Sequence, residues 1–493
     1  MADALTQLKE RFARTTDLER MSRVLSWDQQ TMMPPAGWRH RGEHLATLRR
    51  IHHETLTAPE TGRLLEEVPP LDPETDDGAF IRVARRDYEK ASRVPTELRA
   101  EMTRTATEAR TIWVQARAQS DFELFRPALE ETYDLRRRYV DCFDEIEPYD
   151  VLLDDFEPET TTAEVTEVFA ELKAELIPLI AELREQQVDD SFLTGNFPID
   201  AQERLTKEVV ALFGFRPDTW RLDPTEHPFA SGAGVDDIRI TTHYDAETMK
   251  SFFSTMHEYG HGLYSHQLPR HLERLPTGGP SSLGIHESQS RMWENLVGRS
   301  RPFWEFFYPR AQDAFPEQFG GVDLDRFLAA INRVKPSLIR IKADEVTYGM
   351  HVILRFELEQ DIVHGRVAIA DLPEVWNERM NGYLGVEVPD DAQGVLQDTH
   401  WASGSIGYFS TYLLGTVMSV QLWEKILEDV PDLEEQIAQG KFGSLRAWLG
   451  EHVHSLGRKF SPQQTLRRAT GSTIDPKPYL NYLRTKYGAG VAA

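Results

Sequence analysis

Only one cysteine, Cys142, occurs in 493 residues, so no disulfide can close within the chain. That fits a reducing compartment, and a cytoplasmic location is expected. Lysine is scarce too: about a dozen of the 55 basic residues, the rest being arginine. Against 80 acidic residues the net charge is -25, which argues against nucleic acid or an anionic membrane as a partner. An acidic, lysine-poor surface fits salt adaptation, and arginine-rich codon usage explains the same composition equally well. Long apolar runs are missing. The most apolar stretch, 412–423, is too short to span a bilayer and reads as a buried helix. Residues 1–12 carry Lys9, Glu10 and Arg11 without an apolar core, so no signal peptide is expected. Repeats, low-complexity tracts and long linkers are also lacking. A single unit, 1–493, is therefore expected, although the length alone would suit several domains.

What is present is an ordinary globular balance, 40% hydrophobic and 27% charged. Helical periodicity covers 4–67 with a break at Met33-Pro34-Pro35-Ala36-Gly37, then 79–147, 162–186 and 199–214. It returns at 322–333, 340–363 and 371–383, and from 409 onward. The dense Arg and Glu on these helices read as solvated faces with i,i+4 pairs. Residues 71–78, 149–161 and 387–408 read as turn or loop. The best strand candidate is Ile238-Arg239-Ile240-Thr241-Thr242, within a Pro- and Gly-containing stretch.

That strand leads into His257-Glu258-Tyr259-Gly260-His261, an H-E-x-x-H motif. Histidines four apart on a helix project from one face and can reach one metal ion. Glu258 lies between them, turned away from the ligands, where a general base for the attacking water belongs. Met249, Phe252, Phe253, Met256, Gly260 and Leu263 recur at helical steps, with Asp245 as a plausible N-cap. A third ligand six residues past the second histidine is excluded, because that position is Gln267. A glutamate from a second helix remains. Ser281 or Ser282 could cap that helix, and Glu287 and Glu294 share one of its faces, so spacing alone does not choose between them.

Together with His286-Glu287-Ser288-Gln289, this motif resembles the carboxypeptidase Taq family of zinc metallocarboxypeptidases. Four further family motifs follow the same order. They are His227-Pro228-Phe229, Asp237-Ile238-Arg239-Ile240-Thr241, Ile339-Arg340-Ile341-Lys342-Ala343-Asp344, and the 394–401 stretch GVLQDTHW. The resemblance covers nearly the whole chain, with a metal-site core at about 220–410, and favours Glu287 as third ligand. It implies a mainly α, two-lobed helical zincin with a deep active-site groove, edged by a small antiparallel β-sheet. It also implies a homodimer. The expected activity is zinc-dependent release of single C-terminal residues from peptides, with Co2+ or Mn2+ as possible substitutes for Zn2+. An oligopeptidase of the helical gluzincin type is the alternative. A non-catalytic peptide-binding protein would need neither Glu258 nor an open metal position.

The remaining roles are what the family motifs imply together with side-chain chemistry. His400 and Tyr408 can donate hydrogen bonds to an oxyanion, by analogy with related helical gluzincins. Arg239 and Arg340 are candidates for the substrate carboxylate, each with an ion pair, to Asp237 or Asp344, as its alternative role. His227, before a proline and poorly placed as a ligand, reads as a cleft-wall residue that packs or touches substrate. Asp344 and Asp398 could orient ligating imidazoles, with a helix cap or an ion pair with arginine as the equal alternative for each. His243, His266 and His286 read as structural, and His52-His53 as solvated.

Overall fold

Helices account for most of the chain in a computed structural model, which describes residues 3–144 and 147–488. These residues cluster into two compact units. One comprises Met1–Ser92, Asp189–Ile331 and Ser419–Thr473; the other comprises Arg93–Val188, Asn332–Met418 and Ile474–Ala493. Each unit is drawn from three separate stretches of chain, so neither is a contiguous segment.

The first unit holds the sheet: β1 (Trp220–Pro224), β2 (Ala230–Gly234) and β3 (Asp237–Thr242), in the order β1-β3-β2. The sheet is mixed, which corrects the expectation of an antiparallel one. β2 pairs antiparallel with β3, as the two-residue turn between them requires, but β1 pairs parallel with β3. The physical reason is geometric: the chain reverses between β1 and β2 and again between β2 and β3, so β3, inserted between the other two, runs the same way as β1. β3 has the β-branched side chains to pack on a helix and takes the centre, while the Ala- and Gly-rich β2 lies at an edge. Ile238 and Ile240 are buried, and the Thr242 hydroxyl bonds the Ser251 carbonyl in the next helix. Two guanidiniums meet the Trp27 ring of the first helix, Ala4–Thr31. Arg221 and Arg239, register partners on β1 and β3, approach it at 4.5 and 4.3 Å.

The helix carrying H-E-x-x-H spans Lys250–His266 and starts later than Asp245 would have set it. The Asp245 carboxylate accepts instead from the Glu247 N–H and the Thr248 hydroxyl, closing a turn that competes with helix. Met249, Phe252, Phe253, Met256 and Leu263 are buried, as their spacing requires. Phe252 packs on Trp304 and Phe307 of Arg301–Ala314, a helix the sequence reading passed over. Its aromatic density and the prolines at 302 and 309 obscure the periodicity.

In the second unit, Thr96–Gln119 and Phe122–Val140 form a helical hairpin. Tyr348–Val363 is buried on almost every side. This helix begins at Tyr348 rather than at 340, because Arg340–Lys342 is a 3-10 turn. The Asp344 carboxylate then accepts from the Val346 and Thr347 N–H groups ahead of the helix. A short helix, Pro148–Leu153, occupies part of the stretch expected to be irregular.

Candidate metal centre

His257 and His261 project from one face of the Lys250–His266 helix, and Glu287 meets them from the neighbouring Leu283–Arg291 helix. Ser282 caps that second helix by accepting from the Ile285 N–H. The Glu287 Oε2 lies 3.8 Å from His257 Nε2 and 3.4 Å from His261 Nε2. Two ligands held tetrahedrally at about 2.1 Å from one ion stand about 3.4 Å apart, so these donors fit a divalent metal. Two imidazole nitrogens and one carboxylate are also the donor chemistry of a catalytic zinc site, with one position left for water.

The surroundings bias the ligands toward binding. His257 Nδ1 lies 2.8 Å from Glu294 Oε2, which points the Nε2 lone pair at the site. Burial alone would lower the His257 pKa, but Glu287 and Glu294 override it and hold the metal-free imidazole up at about 9. A field that strongly attracts a proton attracts a metal cation for the same reason. Burial also opposes the charge on Glu287, yet Arg291 and the two histidines keep its pKa well below the usual carboxylate range. Arg291, which sequence reasoning missed, donates to Glu287 Oε1 at 2.7 Å and reaches Glu294 Oε2 at 3.5 Å. Its place four residues past Glu287 was the available signal. Glu294 itself lies on a π-helical turn, Met292–Val297, closed by the Gly298 N–H on the Trp293 carbonyl. Glu258 is buried, and that burial raises its pKa toward the range of a useful base.

Gly260 explains one variable position of the motif. A methyl group there would stand 2.5 Å from the Gln289 carbonyl oxygen and 2.7 Å from the Ser290 Cα, so only glycine lets the two ligand helices approach this closely. The same packing uses His454, also missed from sequence. Its ring nitrogens lie 2.6 and 2.9 Å from the side-chain oxygens of Gln267 and Gln289, tying the end of one ligand helix to the other. His286 is half-buried and stacks on the His261 ring at 4.3 Å. His266 bonds the Val235 carbonyl and His243 the Thr225 carbonyl, structural contacts in both cases. His227 is exposed in the β1–β2 connection. His52 and His53 are half-buried rather than solvated, and burial lowers the His52 pKa against the opposing charges of Glu19 and Asp87. Arg239 binds Asp237 through Nε and Nη2 at 2.8 and 2.9 Å.

Within the second unit, Arg340 pairs with Asp398, not Asp344, and also donates to the Tyr348 hydroxyl. Asp398 also takes Arg355, so two buried guanidiniums share one carboxylate. For Asp344 and Asp398 the cap and ion-pair alternatives hold. Asp344 is used by backbone N–H groups and Asp398 by arginines, and Glu294 has the orienting position instead. His400 is half-buried, with Nε2 3.3 Å from the Tyr412 hydroxyl, and burial lowers its pKa to about 4, so it is neutral at pH 7. Tyr408 lies beside it, ring centroids 5.3 Å apart.

Fold and site together define a class, the helical metallopeptidases that take two histidines and a general base from one helix and a glutamate from the next. The chain belongs to the carboxypeptidase Taq (M32) metallopeptidase family, whose model matches residues 7–487. It is 39% identical to thermostable carboxypeptidase 1 of Thermus thermophilus over 96% of both chains. It is 36% identical to carboxypeptidase 1 of Bacillus subtilis over 94% of both. The crystal structure of the M32 carboxypeptidase from Deinococcus radiodurans superposes with a TM-score of 0.95 at 37% identity, covering 98% of this chain and 99% of that one.

Proposed function

We propose that this protein is a zinc carboxypeptidase that releases single amino acids, with broad specificity, from peptides with a free C-terminus. The convergence of His257, His261 and Glu287 beside the buried Glu258 carries the reading. Zn2+ bound by those three residues would polarise the scissile carbonyl and acidify a water, and the donor set also accepts Co2+ or Mn2+. Glu258 takes the proton of the attacking water and passes it to the leaving amine. His400 and Tyr408, both hydrogen-bond donors, are assigned to the oxyanion on family resemblance and chemistry. His227 is assigned to substrate contact on the same resemblance.

For the substrate carboxylate we favour Arg340 over Arg239. Arg239 is balanced one to one by Asp237, whereas Arg340 and Arg355 share the single charge of Asp398. A buried surplus of positive charge is costly, and a substrate carboxylate offsets it. A charge-assisted hydrogen bond is worth about 1.5–3 kcal/mol. Amidating the C-terminus of an N-blocked dipeptide is therefore expected to lower kcat/KM about ten- to a hundredfold. Arg340→Gln should impose a similar loss on the free acid and little more on the amide, since both remove the same contact. Rapid cleavage of amidated or internally quenched peptides by the wild type would instead favour the oligopeptidase alternative.

A single working unit, a homodimer and a cytoplasmic location belong to the same reading. The resemblance supports the dimer, and the lone cysteine fits the compartment. If the acidic surface reflects salt adaptation, molar salt should screen its self-repulsion and raise the melting point. Sedimentation and thermal melts at low and molar salt check both points. A monomer throughout, with an unmoved melting point, overturns them.

A further inference from the structure

We propose that Glu359 is a positioning residue whose carboxylate holds both ends of the segment between His400 and Tyr408, and so sets the two donors relative to each other. The inference rests on the oxyanion role assigned above. Glu359 is fully buried in the Tyr348–Val363 helix. One of its oxygens accepts from Trp401 Nε1 at 2.7 Å; the other accepts from the Gly407 N–H at 2.8 Å and the Tyr149 hydroxyl at 2.6 Å. Trp401 directly follows His400, and Gly407 directly precedes Tyr408. One carboxylate thus grips the segment next to each donor.

The same helix face supplies a second grip. Arg355, one turn before Glu359, binds Asp398 through Nε at 2.7 Å, two residues before His400. Between these anchors the chain is irregular. Trp401–Ser403 is a 3-10 turn, and Gly404 and Gly407 have φ of 70° and 93°. The turns of this segment close on its own carbonyls, as in Gly404 N–H to Trp401 and Ser405 N–H to His400. Bonds from outside, with the packing of the buried Trp401 and Ile406, seat it in the unit. Gly407 is pressed against the Pro148–Leu153 helix, where a Cβ would stand 2.6 Å from the Leu152 carbonyl oxygen. Tyr408 packs edge-on against Phe156 and Tyr412, at 5.1 and 5.2 Å, so a shift at Gly407 reaches its hydroxyl. An apolar side chain would fill the place of Glu359 without the cost of burying a carboxylate, a cost that raises its pKa to about 7. What the carboxylate adds is directional bonding to two specific N–H groups.

Glu359→Gln sets an amide N–H against one of those donors. Expected are a kcat lowered tenfold or more, a KM within twofold of wild type and full metal content. The double variant with Tyr408→Phe should be no slower than the slower single variant, because both act through one donor. Should Glu359→Gln fail to fold, Trp401→Phe removes one bond of the clamp, and the same pattern is expected. Wild-type kcat in whichever variant folds, or losses that multiply with that of Tyr408→Phe, overturns the proposal. Wild-type kcat in Tyr408→Phe alone is a different failure, that of the oxyanion role on which the proposal rests.

Discussion

Glu258→Gln is expected to keep metal at wild-type stoichiometry while kcat falls about 10²–10⁴-fold, the usual contribution of a general acid–base group. The amide has the shape of the carboxylate but cannot accept the proton that water must lose. The metal should stay, because Glu258 is not among the three groups that converge on one point. Folding should stay too. Glu258 is buried with its pKa raised, so replacing it with a neutral isostere removes a desolvation cost. Metal analysis with steady-state kinetics on N-blocked peptides checks the prediction. Activity within tenfold of wild type would remove Glu258 from the role of base.

Glu287 and Glu294 should separate just as sharply. Glu287→Ala is expected to abolish metal binding and, with it, activity, since its Oε2 lies within 3.8 Å of both ligand nitrogens. Glu294→Ala should retain metal at about 10- to 100-fold lower affinity, the usual cost of losing a carboxylate that orients a ligating imidazole. Glu294 touches His257 at Nδ1, on the far side of the ring from the site. Its removal also leaves Arg291 and Arg299 without one of their acidic neighbours. Titration against a chelator of known affinity measures both variants. Full metal content in Glu287→Ala, with loss in Glu294→Ala, would reverse the two assignments.

Much of this site was legible before any coordinates. The i,i+4 histidines, the intervening glutamate and the apolar stripe behind them depend only on the geometry of one helix. The family resemblance supplied a preference for Glu287 that spacing could not. Where reading failed, a local competitor or a distant partner had won. Asp245 closed a turn instead of capping, and the Arg301–Ala314 helix hid behind its prolines and aromatic residues. His52 and His53, far from every motif in sequence, are half-buried by tertiary packing.

By itself the sequence determined the mainly helical class, the helix that carries His257, Glu258 and His261, the strand at 238–242 and the exclusion of a disulfide framework. These are properties of one segment or of composition, and periodicity records them directly. Only the tertiary structure decided the parallel pairing of β1 with β3 and the different surroundings of Glu287 and Glu294. It alone also paired Arg340 and Arg355 with Asp398 rather than Arg340 with Asp344. Glu287 and Glu294, seven residues apart, lie on the same helical face, so periodicity treats them alike. The π-helical turn and the close approach allowed by Gly260 set one carboxylate near the Nε2 atoms of His257 and His261 and the other at His257 Nδ1. Charged side chains choose partners by proximity in space, and that proximity exists only once the helices have packed.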